Sequence, residues 1–286
     1  MNALQSSSVT RRRFLTYTAG LSAAVLSASP MRLLAAKLAG EGLPVGIQMY
    51  SLRGYKVDDA IQHAYDIGFR RLEFYPGFYP VNSTPEQIKA MNDKLAAKGC
   101  SVSAHGVNRF TKDHEKNREL FKFAKAAGIR NLSADPDPDS FESLDKLVAE
   151  YDVRIAIHNH GPKHRYNKIV DVLNAVRDHN PLIGACADLG HFIRSGEEPV
   201  EVIRSLGSRL YGVHLKDFAD MADKTKGVIL GKGHLNVEGV FRALQQVNFP
   251  ADGAISLEYE ENPQDPLADI RECFAVATAA AKKAAS

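Results

Sequence analysis

The sequence predicts a single (β/α)8 barrel, and three observations point to it. From Pro44 onward, strand-like apolar runs alternate eight times with helical patterns, the arrangement of βαβ units around a parallel sheet. The stretch carrying them is about 245 residues long, the usual size of one such barrel. Four runs in the second half each end in a residue able to bind a metal, and the C-terminal strand ends of such a barrel all open onto one face.

In chain order, strands are expected near 45–50, 71–75, 101–105, 131–134, 154–158, 184–188, 210–214 and 254–258. Helices are expected between them, as over 58–67, 84–98, 112–127 and 238–247. Thr84-Pro85-Glu86-Gln87 reads as a capping box with proline at the first helical position. Gly68, Gly99 and Gly128 stand where a helix should stop before the next strand. The Ala-rich tail, 275–286, completes the last helix. Eight units close the barrel, so 41–286 is expected to be one catalytic domain.

Residues 1–40 read as a leader and linker. No acidic residue precedes Glu41, Arg11-Arg12-Arg13 stands before Phe14-Leu15, and an apolar, small-residue run follows over 15–28. That is the pattern of a twin-arginine export signal, which predicts a periplasmic or otherwise extracytoplasmic protein. The alternative is an amphipathic basic helix. The run is shorter than the ~20 apolar residues of a membrane span, so no stable membrane association is expected after cleavage. Several small residues between Ala24 and Ala39 offer cleavage sites.

Without the leader the charge changes sign. Five of the 36 Lys and Arg precede Glu41, leaving 31 against 34 Asp and Glu, near −3. A nucleic-acid partner is therefore disfavoured, since that function leaves a basic footprint. Cys100, Cys186 and Cys273 are scattered and form no Cys-x-x-Cys pair, so they read as buried apolar positions rather than a disulfide framework.

Five of the ten histidines, His105, His158, His160, His191 and His214, fall at or just beyond expected strand ends. Asp188, His214 and Glu258 each end an apolar run, where an ionisable group is costly to bury unless paired or metal-bound. With His158 as fourth, they are the expected ligands of one divalent ion. Mixed imidazole and carboxylate ligands suit Mn²⁺, the preferred assignment, or Zn²⁺, Co²⁺ or Fe²⁺, with Mg²⁺ also open. The alternatives are an N-cap for Asp188 and a salt bridge to Arg53 or Lys216 for Glu258.

Gly46-Ile-Gln-Met-Tyr-Ser-Leu-Arg53, His158-Asn-His160, Asp188-Leu-Gly-His191, His214-Leu-Lys216-Asp217 and Gly231-Lys-Gly-His234 together resemble the xylose-isomerase-like sugar phosphate isomerase/epimerase superfamily. Its ketose 3-epimerases and inosose dehydratases hold one divalent metal at Glu, Asp, His and Glu on successive strand ends. The resemblance implies Asp188, His214 and Glu258 as the last three ligands, and the first departs from the pattern, being His158. Epimerases use two carboxylates on opposite faces of the sugar, so the departure makes elimination easier to accommodate.

The resemblance implies a metal-dependent sugar isomerase or epimerase that removes a proton next to a carbonyl through an enediolate stabilised by the metal. Glu258 is the expected base, Glu73 a second carboxylate, and Lys216 a group neutralising oxyanion charge. His105, His160, His191 and Arg53 are expected to bind substrate. Ion pairing is the alternative, with an Arg for Glu73 and with Asp217 or Glu258 for Lys216. The alternatives for the whole protein are a 3-keto-glycoside lyase or hydratase, and a non-catalytic sugar-binding module. No Gly-rich phosphate loop is present, and the expected export disfavours phosphorylated substrates, leaving free sugars, keto-sugars or glycosides. The oligomeric state is left open.

Overall fold

The computed structural model of the protein describes residues 42–286; the expected leader, 1–40, lies outside them. Eight parallel strands close a barrel: β1 Gly46–Gln48, β2 Arg71–Phe74, β3 Ser101–Phe110, β4 Asn131–Pro136, β5 Arg154–His158, β6 Ile183–Asp188, β7 Leu210–Leu215 and, after a two-stranded excursion, β10 Ala254–Leu257. Every neighbour pair follows chain order, and β10 returns beside β1. β6 and β7 are buried at every position, as expected of parallel strands covered by helices on one side and by the barrel interior on the other. Gly184 in β6 is required, because a Cβ there would stand 2.1 Å from the carbonyl oxygen of Arg209.

The helices follow their local signals. α1, Val57–Ile67, stops at Gly68; α2, Pro85–Ala97, carries the capping box, with Thr84 and Gln87 satisfying each other's backbone amides; α3, His114–Ala127, stops at left-handed Gly128. α4 Phe141–Tyr151, α5 Ile169–Val176, α6 Leu189–Arg194, α7 Pro199–Leu206, α8 Val237–Gln246 and α9 Leu267–Ala285 complete the outer layer. Among the described residues, no helix is long and apolar enough to cross a membrane. All three cysteines are buried and unpaired.

Two departures from the expected strands shape the barrel mouth. β1 ends at Gln48 rather than at residue 50, because Met49–Leu52 form a 3-10 turn in which the Gln48 side chain accepts the Tyr50 amide. The turn leaves Tyr50 exposed. β3 runs five residues beyond its expected end, with its register shifted between His105 and Asn108. After β7, β8 (Asp217–Phe218) and β9 (Gly227–Val228) form an antiparallel hairpin.

Candidate metal centre and active site

Strand register assembles the site. Asp188 at the end of β6 pairs with His214 of β7, His214 pairs with Ser256 of β10, and His158 at the end of β5 pairs with Cys186. Side chains alternate across a strand, so His214 and Lys216 share a face. Glu258 follows the last residue of β10, and its amide donates to the Leu215 carbonyl, holding it level with Lys216.

His158, Asp188, His214 and Glu258 each present one ligand atom within 4.8 Å of the other three, and all four are buried. His214 Nδ1 lies 3.1 Å from both His158 Nε2 and Glu258 Oε2. Asp188 Oδ2 lies 3.5 Å from His158 Nε2 and 3.8 Å from His214 Nδ1. Ligands at about 2.0–2.2 Å from one ion stand about 3.0–3.5 Å apart, so these edges fit a divalent cation. Asp188 Oδ2 is fully buried and makes no hydrogen bond, its charge being offset by the Lys216 ammonium 3.0 Å away, so its lone pairs remain open to a cation. The four expected ligands therefore fit the ion.

The alternatives weighed for these residues hold alongside the ligand assignment. Asp188 is indeed an N-cap: its Oδ1 accepts the His191 amide at the start of α6, leaving Oδ2 for the cluster. Asn159 fixes that geometry, its carbonyl oxygen accepting the Asp188 amide and its amide donating to the Asp188 carbonyl. Lys216 pairs with Glu258 at 2.7 Å and with Asp188 at 3.0 Å. Asp217 is not its partner but accepts the amides of Gly231, Gly233 and Leu235, tying the Gly231–His234 segment to the strand end. Asp217→Ala is expected to cost about 2–3 kcal/mol, since a carboxylate anchor is lost and the buried Leu235 amide is left unpaired. Denaturant melts measure this, and an unshifted midpoint would refute the anchor.

Three expected site residues lie elsewhere. Glu73 is not a second carboxylate at the mouth but lies fully buried beneath it. The Ser133 and Ser256 hydroxyls donate to it at 2.6 Å, and His214 Nε2 stands 3.1 Å away. Burial opposes its charge, but His214 and the two hydroxyls outweigh burial and hold its pKa below the ordinary value. An ionised Glu73 only accepts, so Nε2 of His214 carries a proton and Nδ1 is the atom aimed at the cluster, the arrangement that orients a ligating imidazole. His105 is buried against Tyr79 and Phe123, and its Nε2 meets the Tyr79 carbonyl oxygen at 2.9 Å. It faces the helix layer because strand alternation turns it away from the interior. Arg53 donates to the carbonyls of Tyr50 and Glu260 and covers the Tyr50 ring, so it braces the mouth without lining the cavity.

A cavity of about 380 Å³ opens above the cluster, lined by His158, His160, His191, Lys216 and Glu258 as expected. Across from them stand Gln48, Tyr50 and Tyr75, with the two tyrosine rings edge to face at 5.3 Å. A second cavity of about 550 Å³ beneath the hairpin shares His191, Lys216, Glu258 and Glu260 with the first. Sequence reasoning missed Gln48, Tyr50, Tyr75, Asn159 and Glu260. Gln48 and Tyr50 lay inside the 46–53 motif, Tyr75 at the expected end of the second strand, and Asn159 between two strand-end histidines.

Electrostatics divide the site into charged and neutral parts. Burial, with the neighbouring His158 and His164, pushes His160 down to about 4. Burial pushes His191 down to about 3. Both are therefore neutral near pH 7 and able to exchange hydrogen bonds with hydroxyls. Burial opposes the charges on Asp188 and Glu258, but Lys216 and the nearby imidazoles outweigh it and hold both carboxyls well below the usual range.

A family profile described as xylose isomerase-like TIM barrel matches residues 61–276. An inosose dehydratase from Clostridium botulinum (strain Eklund 17B / Type B) is 30% identical over 211 residues, covering 64% of this chain and 65% of that protein. This chain thus matches just under two thirds of that relative's length. An uncharacterised protein from Parabacteroides distasonis superposes with a TM-score of 0.63 at 26% identity, covering 82% of this chain and 97% of its own. An L-ribulose 3-epimerase shares the fold, with a TM-score of 0.67 at 14% identity over 85% of this chain and 95% of its own.

Proposed function

We propose that this chain, which belongs to the xylose isomerase-like TIM-barrel family, is a metal-dependent carbon–oxygen lyase that dehydrates or otherwise eliminates next to the carbonyl of a cyclic keto-polyol or keto-sugar. The likeness to inosose dehydratases within this family supports reading it as an enzyme. The observation that carries the elimination reading is the asymmetry of the mouth: Glu258 borders the cavity, whereas Glu73 is sealed beneath His214. Epimerisation needs one group to take the proton on one face of the substrate and a second to return it on the opposite face. Elimination needs its donor only at the departing oxygen, and Lys216 is a donor beside Glu258. The relatives named as inosose dehydratases favour the same reading over the isomerase or epimerase expected first.

A divalent ion held by His158, Asp188, His214 and Glu258 would supply Lewis-acid polarisation of the carbonyl. The chain's residues do the rest. Tyr50 and Tyr75 offer aromatic surface to the sugar ring, and His160 and His191 hydrogen-bond its hydroxyls. Glu258 takes the proton from the carbon next to the carbonyl, the C–H electrons become the new C=C bond, the C–O bond beyond it breaks, and the Lys216 ammonium protonates the departing oxygen.

Elemental analysis of purified protein is expected to find about one divalent ion per chain, and chelation to abolish turnover. Incubation with inosose and with a 3-keto-glycoside in D₂O tests the chemistry. Loss of water or of the glycosidic group, with deuterium entering any unreacted ketone at the acidic carbon, is expected. An epimer formed without any elimination product would return the reading to an epimerase. Export by the twin-arginine route is a further part of the proposal, supported by Arg11-Arg12-Arg13 ahead of an apolar run. Changing Arg11 and Arg12 together to Lys is expected to strand the precursor in the cytoplasm, and unchanged export would remove this part.

A further inference from the structure

Lys216 takes up the same oxygens that the metal reading assigns to the ion. Its Nζ lies 3.0 Å from Asp188 Oδ2 and 2.7 Å from Glu258 Oε2. Those are also the oxygens that face the histidines, Oδ2 toward His158 Nε2 and Oε2 toward His214 Nδ1. Its third partner, Glu260 Oε1 at 2.5 Å, belongs to no ligand cluster and is partly exposed at the cavity rim. The lysine stem has room because residue 190 is glycine; a Cβ there would stand 2.6 Å from Lys216 Cγ.

We propose that Lys216 is a placeholder cation: it neutralises Asp188 and Glu258 until a divalent ion arrives, yields both oxygens to it, and stays docked on Glu260 facing the cavity. This rests on the metal-centre reading above. Two buried carboxylates without a cation would be strongly destabilising, so the placeholder lets the barrel fold before metal is loaded. A flexible four-carbon stem ending in a compact charge suits such an exchange better than a rigid guanidinium. Loading then has a second effect, because an ammonium released from two carboxylates is free to serve a departing oxygen.

Calorimetric titration of the metal-free protein with Mn²⁺ tests the exchange. Lys216→Gln removes the competing charge and is expected to bind Mn²⁺ about tenfold or more tighter than wild type, while Glu260→Gln, which takes away the lysine's refuge, binds it more weakly. Unchanged or weaker binding by Lys216→Gln would overturn the proposal, since a lysine that merely organises the ligands predicts that result. Wild-type protein gives a readout independent of variant folding. Reductive methylation of Lys216, followed by mass spectrometry, is expected to be slow without Mn²⁺ and faster with it, and equal rates would also overturn the exchange. A wild type that takes up no divalent ion would instead remove the metal centre itself, a distinguishable failure.

Discussion

Replacing His214 with Ala is expected to abolish stoichiometric metal uptake and to destabilise the protein by about 3–5 kcal/mol, the cost of leaving one member of a buried charged pair alone. The magnitude comes from Glu73, which is fully buried and loses the imidazole 3.1 Å away. The two effects separate by pH. In the wild type the pKa of Glu73 lies below its ordinary 4.5, so its contribution is complete above 4.5 and is lost as the pH falls through the depressed value. In His214→Ala, burial is no longer outweighed by a cation and raises Glu73 instead. The sign reverses, and that variant loses stability as the pH rises from 4.5 toward the raised value. Denaturant melts at pH 4 and pH 7 are expected to show a wider gap between variant and wild type at pH 7. A variant as stable as the wild type at pH 7 would refute the Glu73–His214 pairing. Glu73→Gln in the same background is expected to recover part of the loss.

Glu258→Gln is expected to reduce solvent exchange at the carbon next to the carbonyl, and product formation with it, by about 10²–10⁴-fold. The amide keeps the shape and an oxygen but accepts no proton. The fold is expected to survive, because Lys216 retains Asp188 at 3.0 Å and Glu260 at 2.5 Å. Deuterium incorporation measured by NMR, alongside metal content, separates a lost base from a lost ion. Exchange at the wild-type rate would exclude Glu258 as the base and shift the role to His160 or His191, the neutral imidazoles lining the same cavity.

Sequence alone was enough for the barrel and for the four strand-end residues that gather at its mouth. Hydrophobic period, caps and glycine stops are local signals, and parallel strands must all end on one face, so strand-end residues such as Asp188 and His214 converge without any knowledge of distance. It left open what each side chain does, because that depends on partners far apart in sequence. Glu73 and His105 both read as strand-end polar residues, yet one faces inward beneath His214 and the other outward against Phe123. A register shift in β3, which sets Glu73 beside Ala104 and Phe74 beside His105, decides such orientations, and it is not written in the local pattern. Tyr75 and Glu260 became cavity residues only when the loops after β2 and β10 met across the mouth. Lys216 read equally well as an oxyanion partner or a buried ion pair, and tertiary packing made it the bridge among Asp188, Glu258 and Glu260, since only the closed barrel brings those three carboxylates within reach of one ammonium.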